Sequence, residues 1–203
     1  TGSMTFGAAG ANSFTGTSVN FVNGSIDVAH DLEINPSSLT FMAWVRPDTT
    51  SGFQSVVTSR YDSNPNQGFV LYNDSDGRWS FWTGNGFSGG WDVLNGPSVT
   101  TSTWQHVAIT FDAATDQKRL WVNGNLAASS NSQDYGPNAV RDLHIGGGGD
   151  LGDEFRFDGR IDDAFLFDTV VDQSTIQSVM SSSLSNSSSV AFSTRINTDI
   201  GAQ

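Results

Sequence analysis

Short apolar runs recur along the whole chain, and each is closed by Gly, Asn, Asp, Ser or Pro. Period-two alternation bounded by such residues marks β-strands. Residues 18–22 and 25–28 are two such runs, separated by Asn23-Gly24, a pair that accepts the positive φ of a tight hairpin turn. Residues 39–46 form a strongly β-prone run that stops at Pro47, and runs 53–60 and 68–73 follow. After the turn residues 74–77, the run 78–83 reads as a returning strand. The run 104–112 reads as a central strand, and 118–122 leads through Asn123-Gly124 into 125–128, a second predicted hairpin. The run 142–145 ends at four glycines, and 156–167 alternates with a bend. About a dozen short strands with frequent turns predict an all-β sandwich or barrel. The exception is 172–181. There Ile176, Val179 and Met180 fall on one helical stripe, and Asp172 or Ser174 can cap the start. Within strand 118–122, Leu120 and Val122 read as core-facing, which turns Trp121 away from the core.

At 203 residues the chain is expected to hold one sandwich domain over 17–182. Residues 1–16 read as a tag remnant (Thr1-Gly2-Ser3-Met4) and an N-terminal segment. Residues 183–203 read as a Ser-rich linker and a possible last strand.

Charge and chemistry narrow the reading. The net charge of −12, from 21 acidic and 9 basic residues, repels phosphate backbones, so a nucleic-acid partner is not expected. No apolar run approaches the roughly 18 residues of a membrane span, so no membrane insertion is expected. The chain has no Cys, which removes disulfides, zinc–thiolate sites and thiol nucleophiles. Acidic loops leave room for a hard cation.

Several segments in order resemble the laminin-G-like, concanavalin A-like lectin/glucanase jelly-roll family. They are residues 21–28, the strand Leu39-Thr40-Phe41-Met42-Ala43-Trp44-Val45-Arg46-Pro47, Trp104-Gln105-His106-Val107-Ala108, Arg119-Leu120-Trp121-Val122-Asn123-Gly124 and Phe157-Asp158-Gly159-Arg160-Ile161-Asp162-Asp163-Ala164. The resemblance implies a two-sheet antiparallel jelly-roll sandwich with one short C-terminal helix. It also implies a structural calcium, held by Asp162 with Asn23 and Asp27 of the opening hairpin. Asp150, Asp153 and Glu154 form a second acidic cluster.

Glycosidases of this fold carry paired carboxylates on one strand, and retaining chemistry needs them about 5–5.5 Å apart. Glu occurs only at 33 and 154, and no such strand-borne pair is present. His106 reads as a framework residue. The remaining signal is aromatic. Tyr61, Tyr72, Trp82 and Trp91 lie among polar residues that include Asn85 and Asp92, and sugar rings stack on such side chains while amides and carboxylates bind their hydroxyls. The expected function is therefore a non-catalytic polysaccharide-binding module of a larger secreted or cell-surface protein. A protein–protein adhesion module is the first alternative, and a lyase or hydrolase of the same fold is the second.

Overall fold

The computed structural model describes residues 2–87, 90–131, 134–150 and 154–181, with the backbone of 194–195. Most of the predicted linker lies outside these residues, as does Asp153. The first strands are β1 (Ser3–Ala9), β2 (Thr17–Val22), β3 (Ile26–Val28), β4 (Leu39–Pro47), β5 (Gln54–Tyr61), β6 (Gln67–Asn73) and β7 (Arg78–Gly84). They are followed by β8 (Trp91–Ser98), β9 (Gln105–Asp112), β10 (Gln117–Val122), β11 (Asn125–Ser130), β12 (Leu143–Ile145) and β13 (Asp158–Phe167). The helix α1 (Gln173–Ser181) and the short β14 (Thr194–Arg195) come last among the described residues.

Two antiparallel sheets form. One has the order β1-β2-β13-β4-β9-β10-β11, with β14 also paired to β13; the other has the order β3-β12-β5-β6-β7-β8. This is the predicted jelly-roll sandwich. β1 lies in the segment set apart by the sequence, yet it pairs with β2 through Met4 and Phe21.

The two Asn-Gly pairs behave differently. Asn123 and Gly124 both have positive φ, 50° and 72°, and close the β10–β11 hairpin as predicted. Asn23 has φ 58°, but the chain leaving it does not fold back on β2. β3 instead pairs with β12 in the other sheet, so Asn23-Gly24 carries the chain across the sandwich. Two β-prone runs joined by a turn signal fix the turn, not the partner.

Inward residues of both sheets fill the interior, with Phe41, Phe69, Trp79, Phe81 and Ile109 wholly buried. Period-two alternation sends their neighbours outward. The outer side of the first sheet is covered by α1. Ile176 and Val179 pack there with Met42, Ala108, Phe165 and Trp121, so Trp121 faces away from the inter-sheet core as expected and is sealed by the helix. Asp172 Oδ1 accepts from Thr175 N at 2.8 Å and caps α1. His106 is buried on this outer side, edge-on to Trp44 at 5.4 Å, and burial lowers its pKa to about 4. Trp44 therefore lies outside the inter-sheet core and is half-buried.

The chain has one lysine, Lys118, and it is wholly buried between the sheets. Its Nζ donates to the Asp92 carbonyl at 2.7 Å and to Thr83 Oγ1 at 3.1 Å, and it lies 4.7 Å from the centre of the Phe81 ring. Desolvation lowers its pKa to about 7.

Candidate functional site: an aromatic face on the second sheet

The second sheet sends Val57, Phe69, Leu71, Phe81 and Leu94 into the core. The alternate positions face out. Thr58, Val70, Trp82 and Val93 are direct neighbours across β5, β6, β7 and β8. One step along, Arg60 lies opposite Gly68, and Trp91 opposite Gly84. Arg60 and Trp91 are thus separated by three inter-strand spacings, about 14 Å. The two strands between them offer only glycine, so both long side chains can reach inward. The Arg60 guanidinium sits 5.1 Å from the centre of the Trp91 ring. A Cβ on Gly84 would also strike the Asn66 backbone, so glycine lets that loop lie against the sheet.

Five rings gather around Arg60. Tyr72 forms the floor, buried, with Phe53 at 5.2 Å, Trp82 at 5.5 Å and Phe155 at 5.6 Å, all edge-to-face. Edge-to-face packing places the positive rim of one ring on the negative face of the next. Trp82 and Trp91 are half-buried, with centroids 6.4 Å apart and planes tilted 49°. Trp82 Nε1 donates to Ser80 Oγ at 2.7 Å, and Ser80 donates to Asn95 at 3.1 Å. Trp91 Nε1 donates to Asp62 at 3.2 Å, and Asn66, with its amide oxygen turned toward the indole, also accepts from it at 2.6 Å. Val93, opposite Trp82, extends the apolar surface and is exposed.

Arg60 is held by a carboxylate, a phenol and two rings. Nε donates to Asp62 Oδ2 at 2.7 Å and Nη1 to the Tyr72 hydroxyl at 2.6 Å. Its guanidinium also lies 5.0 Å from the centre of the Phe155 ring. Burial pushes the Tyr72 hydroxyl up to about 12, so it remains a neutral phenol at pH 7.

Phe155 arrives from the connection between β12 and β13. Gly146, Gly147 and Gly148 turn the chain there with φ of 81°, 153° and 97°. A side chain on Gly148 would collide with the His144 ring. Phe155 itself has φ 51°, a region bulky L-residues avoid. Its carbonyl accepts from Ser55 N at 2.7 Å, and its ring packs on both Arg60 and Tyr72, which holds the strained backbone in place.

A family model for the concanavalin A-like lectin/glucanases superfamily, of the laminin G type, matches residues 18–177. The chain belongs to that superfamily. No protein with a curated description matches it in sequence. Among solved structures, the CBM40 of the Ruminococcus gnavus IT-sialidase, bound to α2,3-sialyllactose, is similar with a TM-score of 0.62 and 19% identity, over 76% of this chain and 95% of that one. Domain 4 of AbnA, a GH43 extracellular arabinanase from Geobacillus stearothermophilus, in complex with arabinotriose, is similar with a TM-score of 0.65 and 18% identity, over 88% and 82%. A heptameric SAP-like pentraxin from Limulus polyphemus follows at 0.54 and 13%, over 88% and 81%. At these identities the likeness is one of fold.

In this lectin/glucanase-superfamily domain the sequence-derived candidates fall into separate places. Trp82, Trp91 and Tyr72 converge on the aromatic face, Tyr72 as its floor and not as an exposed platform. Tyr61 lies one residue past Arg60 on the opposite side of β5, under the Arg141 guanidinium at 5.2 Å. Asn85 is buried and accepts from Phe87 N at 3.3 Å, organising the β7–β8 connection. Asp92 lies opposite Thr83, turned from the face that carries Trp91, and accepts from Asp134 N at 2.8 Å. Trp91 begins strand β8. Phe53, Arg60, Asp62, Asn66 and Phe155 were not singled out by sequence.

The trio proposed for calcium is not assembled in this superfamily domain. Asp162 is buried in the first sheet opposite Trp44, where its Oδ2 accepts from Ala11 N at 2.9 Å. Asp27 belongs to the second sheet and pairs with His144 Nδ1 at 2.7 Å. Asn23 offers its carbonyl to Arg156. These residues do not fit one ion, which needs six or more convergent oxygens. Among the described residues, no three His, Asp or Glu side chains cluster as a metal site. Asp150 of the second acidic group pairs with Arg141 at 2.7 Å.

Proposed function

We propose that this domain binds a carbohydrate chain on the outward face of its second sheet, without cleaving it, as a module of a larger secreted or cell-surface protein. The observation that carries the reading is the tilted pair Trp82–Trp91, half-buried and fixed from behind by Tyr72, Phe53 and the stacked Arg60. A sugar ring offers an apolar C–H face, and rigid, partly exposed indoles receive it with little loss of side-chain entropy. Asp62, Asn66 and Asn95 stand at the edge of the platform to meet hydroxyls. The superfamily, and the sialyllactose and arabinotriose bound to two similar structures, support this reading.

The non-catalytic part of the proposal rests on the carboxylates. Asp62, the carboxylate that touches the cluster, is engaged as the ion-pair partner of Arg60 and as an acceptor for Trp91. The half-buried indoles also favour a glycan over a protein-adhesion surface. The reading does not depend on calcium.

The test is isothermal titration against soluble polysaccharides and oligosaccharides, with product analysis on the same samples. Binding without new reducing ends or unsaturated products, weakened tenfold or more in Trp82→Ala and Trp91→Ala, is expected from the loss of one stacking contact each. Undiminished binding in both variants would refute the proposed face.

A further inference from the structure

Resting on the carbohydrate-binding reading, we infer that the aromatic face takes an uncharged sugar chain and rejects carboxylated or sulfated ones. Arg60 is the cation embedded in the platform, and a buried-edge arginine ordinarily suggests an anion receptor. Its surroundings here argue otherwise. Asp62 holds Nε at 2.7 Å, Tyr72 takes Nη1 at 2.6 Å, and the Trp91 and Phe155 rings pack on the guanidinium at 5.1 Å and 5.0 Å. Only 15 % of the side chain is exposed, against 32 % for Asp62. A ligand carboxylate would therefore meet the negative partner before the positive one.

The neighbouring basic side chains are likewise engaged within the protein. His144 lies in the same cross-strand row as Thr58 and pairs with Asp27 at 2.7 Å. Arg141, stacked on Tyr61, pairs with Asp150 at 2.7 Å. Arg156 is directed to the Asn23 carbonyl. The chain as a whole carries −12, which lowers the local concentration of any polyanion. Arg60 thus packs against both Trp91 and Phe155, and its charge is balanced inside the protein by Asp62. This separates the two similar structures as guides: the neutral arabinotriose is the closer analogue in charge, and the acidic sialyllactose is not.

The experiment is a glycan array that pairs neutral oligosaccharides (arabino-, xylo-, gluco-, manno- and galacto-series) with acidic ones (3′-sialyllactose, galacturonan and sulfated galactan oligomers). Hits are followed by titration at about 20 mM and about 500 mM NaCl. Expected are neutral hits only, with Kd changing less than about twofold between the two salt concentrations. In Asp62→Asn, where Arg60 stands unbalanced, acidic hits are expected to appear and to weaken with salt. Wild-type hits confined to acidic glycans and weakened severalfold by salt would overturn the inference and leave carbohydrate binding intact. An Asp62→Asn array identical to wild type would overturn the charge argument. An empty wild-type array would instead overturn the carbohydrate reading on which the inference rests.

Discussion

Replacing Lys118 with Met should remove most of the alkaline pH dependence of stability. The amine is wholly buried, and desolvation lowers its pKa from 10.5 to about 7. In the unfolded chain it returns to its ordinary value. Between about pH 7 and pH 10.5 the unfolded state therefore holds a proton that the folded state does not. Stability then rises with pH at up to about 1.4 kcal/mol per unit. The gain is complete above the unfolded pKa and is lost as pH falls through the folded one. From pH 7.5 to pH 9.5 it amounts to roughly 2–3 kcal/mol. No second lysine and no cysteine titrates in that window. The tyrosines act in the opposite direction only at higher pH, since Tyr72 is pushed up to about 12 and Tyr135 higher still. The assay is urea unfolding followed by tryptophan fluorescence at both pH values. Wild type should gain stability and Lys118→Met should stay nearly flat, whatever the variant's absolute stability after losing its bonds to Asp92 and Thr83. A wild-type slope that is zero or negative, or one that survives in Lys118→Met, would refute the placement of this amine.

His106 gives the same case at lower pH. Its folded pKa of about 4 lies below the ordinary 6.5, so its contribution is present above pH 6.5 and is lost as pH falls toward 4; His106→Phe should flatten thermal midpoints across that window. Asp162→Asn should lower stability by about 1–3 kcal/mol, the cost of disturbing a buried acceptor. Because the calcium trio does not converge, calorimetry should show the same drop in calcium and in EDTA, and a drop seen in calcium alone would contradict the geometry. Phe155→Gly should relieve the positive φ yet remove a wall of Arg60, so glycan affinity is expected to fall about tenfold in titration while the urea midpoint changes by less than Phe→Ala core losses of about 3–5 kcal/mol.

The sandwich was legible because its strands announce themselves locally. Residues 39–47 and 104–112 are continuous β-prone runs, and Asn123-Gly124 supplies the φ values of its turn. The helix was legible for the same reason, through the spacing of Ile176 and Val179 and the Asp172 cap. β8 was not. Trp91–Ser98 carries Asn95, Gly96 and Pro97, the composition of a loop, and it is a strand because it lies at the sheet edge, where Pro need not donate. β1 is hidden likewise by its small residues and by the positive φ of Gly7.

The site was only half legible, and the reason is register. Alternation along β7 places Trp82 on the face opposite Phe81, and that much is available from one strand. Whether Trp91 shares that face depends on β8 pairing with β7 so that Gly84 meets Trp91, with Asp92 forced to the other side. Arg60 enters only when β5, β6, β7 and β8 lie in that order, because its reach to Trp91 passes over Gly68 and Gly84. Those two glycines read in sequence as strand weaknesses. In the folded sheet they are the gap that lets a cation and an indole from strands three apart meet. Phe155 completes the gap from a loop whose path depends on three successive positive φ values. A binding face built from four strands and one strained loop is thus a property of pairing, and no periodicity within any one segment encodes it.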